Sequence, residues 1–212
     1  MLEKLQKNAK ITLSILFIFI GIGLLTYNYF GSIKSNLFNE KNIELLSQQI
    51  DMPEEVLTVD DEEEEPDITT QVNPSVTNYI GYLSVPDVNV KRGFVDINSP
   101  DNKLSKNILL VQGSSMPDVK NGNLILAGHN GRSRVSFFKD LYKLQDGAHA
   151  YVTYNGNTYD YILKNRYDVP KVGTITIERN ANVNTLTLIT CHKTDNHLQV
   201  VFIFELQNVT AA

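Results

Sequence analysis

The sequence predicts a mostly β domain that is preceded by a single membrane-spanning helix. Three observations support this fold class. Residues 11–30 carry no charge and are largely apolar, an acidic segment follows them, and from about residue 79 short apolar or alternating stretches are separated by Asn-Gly, Asp-Gly and Pro. The chain has a single cysteine, which excludes an internal disulfide, so the core alone must stabilise the domain.

The apolar segment 11–30 is long enough to cross a bilayer, because twenty helical residues span about 30 Å. A secretory signal peptide is the alternative. Its apolar region usually has about 7 to 15 residues, whereas Tyr27, Tyr29 and Phe30 close this segment as interfacial anchors do. Lysines before the span indicate that residues 1–10 are cytoplasmic and that the chain after Gly31 lies on the outer side of the cell membrane.

Residues 31–74 are predicted to form a stalk and a linker. The stretch LFNEKNIELLSQQI has apolar residues at helical spacing and predicts a short stalk helix. Residues 51–67 contain ten acidic residues and no basic one, whereas the other residues contain 19 basic and 14 acidic residues. Like charges repel each other and stay solvated, so we interpret the acidic block as a spacer and assign it no binding role.

The β domain is expected to cover residues 75–212. Seven stretches read as strands: YIGYLSV, NILLVQ, NLILAG, AHAYVTY, TYDYILKNRYDV, TLTLIT and LQVVFIFEL. Asn155-Gly156 lies between two alternating aromatic stretches and accepts the positive φ angles of a tight hairpin turn. Many short strands in one domain of this size indicate an antiparallel barrel or sandwich.

The main helical candidate in this domain is RVSFFKDLYKL. Ser133 or Ser136 is a possible N-cap, and Phe137, Leu141 and Leu144 lie on one stripe of the predicted helix.

Cys191 is the candidate nucleophile. It ends the strand-like run TLTLITC beside a polar loop, where a thiol is accessible, although a lone cysteine is more often a small buried apolar residue. A thiolate needs a partner that takes its proton, and His129 ends another strand in LILAGHNG. The other histidines are interpreted as structural or surface residues (His149) or as solvated loop residues (His192 and His197).

Several of these segments together resemble the sortase family of Gram-positive bacteria. They are the N-terminal anchor, GYLSVP, AGHNG, FFKDLYKLQDG, YNGNTYDY and TLTLITC, and they extend over about residues 79–207. The resemblance implies an eight-stranded β-barrel with one or two short helices. The segment between the hairpin strand and the strand that ends at Cys191, YDVPKVGTITIERNANVN, is short, and in this respect the chain resembles the class A members of the family.

The resemblance also implies an activity. The family's enzymes cleave an LPXTG-like sorting motif of an exported protein, and an amine of a cell-wall precursor or a pilin lysine then accepts the acyl group. By this likeness Cys191 forms the thioacyl intermediate and His129 is the general acid and base. Thr190 matches the motif residue before the cysteine and is a candidate substrate-binding residue, or simply a β-branched strand residue.

The sequence departs from the family at one position. Sortases usually carry an arginine on the strand after the cysteine, and Gln199 stands at that place in this chain. Glutamine keeps N–H donors but loses the charge. We expect Gln199 to act as the third catalytic residue. Arg132 or Arg134 could instead take this role from the loop after His129, and the third alternative is that the enzyme is slow or specialised.

Other function classes are less well supported. A catalytically weak or inactive binding module is one alternative, and a cysteine hydrolase that uses water as the acceptor is another. The histidines and the cysteine are too scattered for a structural zinc site, no phosphate-binding glycine loop is present, and we expect no metal or cofactor. From residue 75 onward 14 basic residues stand against 11 acidic ones, which does not indicate a nucleic-acid surface.

Overall fold

The computed structural model describes residues 16–23, 26, 33–34, 36–48 and 78–212. The chain forms two compact units, Met1–Glu40 and Lys41–Ala212. No helix of the described residues is long and apolar enough to cross a membrane. The predicted span 11–30 lies partly outside the described residues, and the acidic block 51–67 lies entirely outside them.

The described helical residues are 16–23, 26 and 33–34, together with 36–48, which overlap the predicted stalk helix. Residues 41–48 of this last helix belong to the second unit. Within that unit, Asn42 and Ile43 are buried, with 6% and 4% of their surfaces exposed. Tyr79 makes hydrogen-bond contacts with the side chains of Asn42 and Asn107, which link the helix to the start of the β domain.

The described residues of the second unit form eight strands in one sheet that is rolled into a nearly closed barrel. The strands are β1 (Gly81–Val85), β2 (Val90–Phe94), β3 (Leu109–Leu110), β4 (Asn123–Gly128), β5 (His149–Tyr154), β6 (Asn157–Pro170), β7 (Thr185–Cys191) and β8 (Leu198–Ala211). Their order in the sheet is β2-β1-β5-β6-β8-β7-β4-β3. The expected eight-stranded, mostly β architecture is confirmed.

Two short 3₁₀ helices, Pro86–Val88 and Leu141–Lys143, complete the described barrel. The longer helix expected over residues 134–144 was wrong. This segment instead forms turns in which backbone N–H groups donate to the carbonyl three residues earlier, as Leu141 does to Phe138 and Leu144 does to Leu141. The buried side chains accordingly recur every third residue, at Phe138, Leu141 and Leu144, which is the period of a 3₁₀ helix.

The β5–β6 hairpin is the turn that the sequence predicted. Asn155 and Gly156 have φ angles of 47° and 71°, and Tyr154 pairs with Asn157 across the turn. One strand was not predicted. β2 has the sequence VKRGF, whose two charges and glycine obscure the alternation, and the left-handed Asn89 (φ 53°) turns the chain back so that β2 pairs with β1.

The barrel is not wholly antiparallel, which corrects the expectation from the sequence. β4 and β7 run parallel, with Asn123 opposite Thr185 and Gly128 opposite Thr190. Alternating apolar residues show that a segment is a strand but not which way its neighbour runs. This parallel pair is the feature that assembles the candidate site.

Two apolar clusters cover the two faces of the sheet. The inner face holds the main core, with Leu126 of β4, Val152 of β5, Tyr161 of β6, Leu188 of β7 and Phe204 of β8 among its residues. The outer face of the strands around β7 carries a smaller cluster of Ile125, Ile189, Val201 and Ile203, against which Val111, Ala127, Tyr167, Val169, Ile175 and Ile177 pack. Ile175 and Ile177 come from the segment between β6 and β7, which therefore lies over this face.

Candidate active site

The parallel pairing of β4 and β7 brings the two sequence-predicted reactive residues to one end of the barrel. β4 ends at Gly128, which lies opposite Thr190 of β7. His129 and Cys191 are the next residues along the two strands. Because parallel strands advance in the same direction, both residues lie at this shared end although 62 positions separate them in sequence.

Two side-chain hydrogen bonds link the chain on either side of this pair. The hydroxyl of Thr190, the residue before Cys191, donates to the carbonyl of Gly128, the residue before His129, at 2.8 Å. One residue after His129, the Asn130 amide donates to the carbonyl of Cys191 at 2.9 Å. The two strand ends are therefore fixed to each other by side chains as well as by the backbone ladder.

The glycine before His129 is explained by close packing. A Cβ at Gly128 would approach the ring of Phe138 to 2.6 Å, which is too short for a real contact. The Phe138 amide also donates to the carbonyl of His129 at 3.1 Å. The buried Phe138 ring and this hydrogen bond hold the chain that follows β4 in one position.

Gln199 lies directly opposite Cys191 in the antiparallel pair of β7 and β8. Opposed residues of such a pair have their side chains on the same face of the sheet, so Gln199 is a cross-strand neighbour of the thiol. The same alternation puts Cys191 and Gln199 on the outer face with Ile189 and Val201. Cys191 thus lies at the end of the buried apolar cluster against which the segment between β6 and β7 packs.

A cavity of about 340 Å³ opens beside Cys191. Its lining comes from β6, β7, β8, the turn that contains Tyr142 and the loop after Cys191, and consists of Asn130, Tyr142, Arg166, Tyr167, Asp168, Thr190, Cys191, His192, Lys193, Val200 and Phe202. Two of the lining residues, Arg166 and Lys193, carry a permanent positive charge. Arg132 and Arg134, the alternatives considered from sequence, are both exposed and do not line this cavity.

Thr190 also lines the cavity, but its side chain is buried and its hydroxyl donates to Gly128. The structure therefore gives Thr190 a clear part in joining the strands. A direct contact with substrate stays a prediction.

His192 has a larger part in the site than its interpretation as a solvated loop residue suggests. Its Nδ1 accepts hydrogen bonds from the backbone N–H groups of Asp195 at 3.0 Å and Thr194 at 3.3 Å. Its Nε2 lies 4.0 Å from a carboxylate oxygen of Asp168 on β6. An accepting Nδ1 means that the ring proton is on Nε2, so His192 shapes the loop after Cys191.

The remaining histidines lie apart from this arrangement. His149 is in β5, where its Nδ1 lies 2.7 Å from Asp160 and its ring stacks on Tyr151. His197 is exposed. Among the residues that the structure describes, no group of three or more His, Cys, Asp and Glu side chains is placed to hold a metal ion.

Sequence comparison identifies the class of protein to which this fold and site belong. A sequence model of the sortase domain matches residues 83–206, which is more than half of the chain. The chain therefore belongs to the sortase family, whose members are cysteine transpeptidases.

Individual proteins of this family are similar to the chain in sequence or in fold. Sortase A of Bacillus anthracis is 28% identical over 130 residues, which are 60% of this chain and 60% of that protein. A Clostridium perfringens sortase D5 transpeptidase structure has a TM-score of 0.59 at 19% identity, with 81% of this chain and 99% of that chain covered. Sortase C1 of Streptococcus agalactiae has a TM-score of 0.55 at 27% identity, with 62% and 69% covered.

Proposed function

We propose that this protein is a membrane-anchored cysteine transpeptidase of the class A-like sortase type, which cleaves an LPXTG-like sorting motif and transfers the exported protein to an amine. The acceptor is an amine of a lipid-linked cell-wall precursor or a pilin lysine. The observation that carries the proposal is the parallel register of β4 and β7, since it brings Cys191 and His129 together.

The chemistry follows from these two residues. The Cys191 thiolate attacks the carbonyl before the scissile bond, and an S–C bond forms as the carbonyl electrons move to oxygen. His129 protonates the leaving nitrogen as the C–N bond breaks, which leaves a thioester on Cys191. The incoming amine then attacks the thioester and gives a proton to His129, and the C–S bond breaks to release the Cys191 thiolate.

Gln199 is the proposed third catalytic residue. It lies opposite Cys191 and its amide N–H groups are suited to donate to the oxygen that becomes negative. Loss of one such donor typically slows turnover by about 10²- to 10³-fold.

A single N-terminal span would hold the enzyme at the cell membrane, with residues 1–10 in the cytoplasm and the barrel outside. Residues 16–23 are helical, and Leu16, Phe17, Ile18 and Phe19 are each more than half exposed. Large apolar side chains that face outward on a helix are typical of contact with lipid.

The proposal is tested with the full-length chain in detergent, a library of fluorogenic LPXTG-like peptides and a glycine-based amine acceptor. We expect cleavage and a product joined to the amine, both abolished in Cys191→Ala and reduced by orders of magnitude in His129→Ala. Gln199→Ala should lower turnover by about 10²-fold, and His197→Ala, outside the site, is the matched control for His129→Ala.

Two other outcomes would contradict this proposal. Cleavage without transfer to the amine at any acceptor concentration would identify a cysteine hydrolase. Peptide binding that shows neither cleavage nor a thioacyl adduct would identify a sortase-like binding module.

A further inference from the structure

The negative charge of the reaction is on the Cys191 thiolate before it attacks the carbonyl, and on the carbonyl oxygen after the S–C bond has formed. Such charge is stabilised most by fixed donors or cations that face it in a site shielded from water. The cross-strand neighbour of Cys191 is Gln199, which is neutral. The inference below rests on the proposed function and concerns the source of positive charge at this thiol.

The cavity beside Cys191 contains two permanent cations. Arg166 lies on β6 and Lys193 lies two residues after Cys191 in the β7–β8 loop. Asp168 is the acidic residue in the lining, and it faces His192. The lining therefore has two permanently charged cations and one carboxylate.

The Arg166 side chain is held in place by hydrogen bonds to the backbone. Its guanidinium Nη1 donates to the carbonyl of Leu144 at 3.1 Å and more weakly to that of Tyr142 at 3.4 Å. These bonds tie the 3₁₀ turn Leu141–Lys143 to β6, so Arg166 positions the Tyr142 side chain at the edge of the cavity.

Lys193 is held differently. Its ammonium lies 3.5 Å from the centroid of the Tyr142 ring, and both side chains are exposed. Among the described residues, no carboxylate lies within salt-bridge distance of Lys193, whereas Lys106 and Lys143 are each paired with an aspartate. A cation–π contact with an exposed ring is weak, so the ammonium keeps its charge available to the cavity.

We propose that Lys193 is the cation that stabilises negative charge at Cys191, with the Tyr142 ring as its resting position. When Cys191 forms its S–C bond and the carbonyl electrons move to oxygen, the Lys193 ammonium donates a hydrogen bond to that oxygen and keeps its proton. The leaving nitrogen takes its proton from His129. Gln199 supplies a neutral donor from the opposite strand, and Lys193 supplies the charge.

Alkylation of Cys191 tests this inference without a peptide substrate. The chain has one cysteine, so all labelling of the full-length protein reports on Cys191. A nearby cation accelerates the anionic reagent iodoacetate relative to neutral iodoacetamide. We expect the ratio of the two rates to fall by about threefold to tenfold in Lys193→Met and to be retained in Lys193→Arg.

Two variants serve as comparisons. Lys120→Met removes an exposed lysine that precedes β4, at the end of that strand away from Gly128, and should leave the ratio unchanged. Tyr142→Leu removes the ring but keeps the charge, and should alter the ratio less than Lys193→Met does. An unchanged ratio in Lys193→Met would overturn the inference, and a fall in Arg166→Met alone would assign the charge to Arg166.

Turnover of sorting peptides gives the second readout. Lys193→Met should lower kcat by about 10²-fold with little change in KM, and Lys193→Arg should restore most of it. If no peptide is turned over by the wild-type chain while the alkylation ratio still depends on Lys193, the proposed function fails for those peptides and the assignment of Lys193 as the charge at the thiol stands.

Discussion

Thr190 shows how one side chain can join the two strands that carry a site. Its hydroxyl is buried and donates to the Gly128 carbonyl, next to both His129 and Cys191. From sequence it was a candidate substrate-binding residue or a plain strand residue, and the hydrogen bond is a third role that no motif encodes. A sequence pattern lists residue types, whereas a hydrogen bond between strands depends on a register that only the fold defines.

Replacement of Thr190 separates these roles. Thr190→Val keeps the shape but removes the donor to a buried carbonyl, so we expect a loss of about 1 to 3 kcal/mol in the free energy of unfolding. Thr190→Ser keeps the hydroxyl and is the control, with a smaller loss. Urea denaturation of both variants measures the difference. Equal stability of Thr190→Val and wild type would show that the bond contributes nothing.

Three features could be predicted from the sequence, because each depends on neighbouring residues. They are the positions of most strands, the hairpin at Asn155-Gly156, and the location of Cys191 and His129 at strand ends. The cavity cations and the role of His192 could not be predicted in this way. Arg166 lies on β6 and Lys193 in the loop after β7, and only the pairing of β6 with β8 brings them to one cavity. Arg132 and Arg134, which are nearest to His129 in sequence, do not line this cavity, and their part in catalysis stays a prediction.

At the scale of elements, the helix before the barrel is more than a spacer in its last turns. Residues 41–48 belong to the same compact unit as the barrel, and Ile43 is 4% exposed. Helical spacing in the sequence predicted that a helix forms here. It did not show that one face packs, since a stalk helix and a docked helix have the same period.

Ile43 provides a test of this docking. We expect Ile43→Ala to lower the free energy of unfolding of the barrel by about 2 kcal/mol or more, as for other buried isoleucines. The neighbouring Glu44→Ala changes an exposed residue and should have little effect. Thermal unfolding of the full-length chain, followed by tyrosine fluorescence, measures both. A barrel that unfolds identically in the two variants would mean that residues 41–48 do not stabilise it.

At the scale of the whole molecule, burial of tyrosines makes stability depend on alkaline pH. Burial raises the pKa of Tyr161, and the pKa values of Tyr79, Tyr154 and Tyr159 are also raised mainly by burial. Within the described residues the Tyr161 hydroxyl is buried without a hydrogen-bond partner. The neutral phenol is therefore strongly favoured in the folded barrel.

The sign of the effect follows from which state loses its protons first. In the unfolded chain a tyrosine ionises near its ordinary pKa of 10.0, below the pKa in the folded barrel. The stability contributed by this difference is complete below pH 10 and is lost as the pH rises toward the folded pKa. We expect the free energy of unfolding to fall between about pH 9 and about pH 11.

Tyr161→Phe should remove part of this dependence. We expect the loss of stability up to about pH 11 to be smaller by about 1 kcal/mol in the variant. At neutral pH the variant should be at least as stable as wild type, because a buried hydroxyl without a partner is removed. Urea denaturation across this pH range is the measurement, and an identical pH dependence in both proteins would refute the assignment.

The parallel pair of β4 and β7 has a consequence for the time at which the thiol becomes reactive. Residues next to Cys191 in sequence do not supply its histidine partner, because His129 follows β4 and Cys191 ends β7. Contacts of such wide sequence separation form slowly, after the entropy of closing a long loop has been overcome. An unfolded chain therefore carries an isolated cysteine, and Cys191 and His129 come to the same end of the barrel only when β4 and β7 have paired.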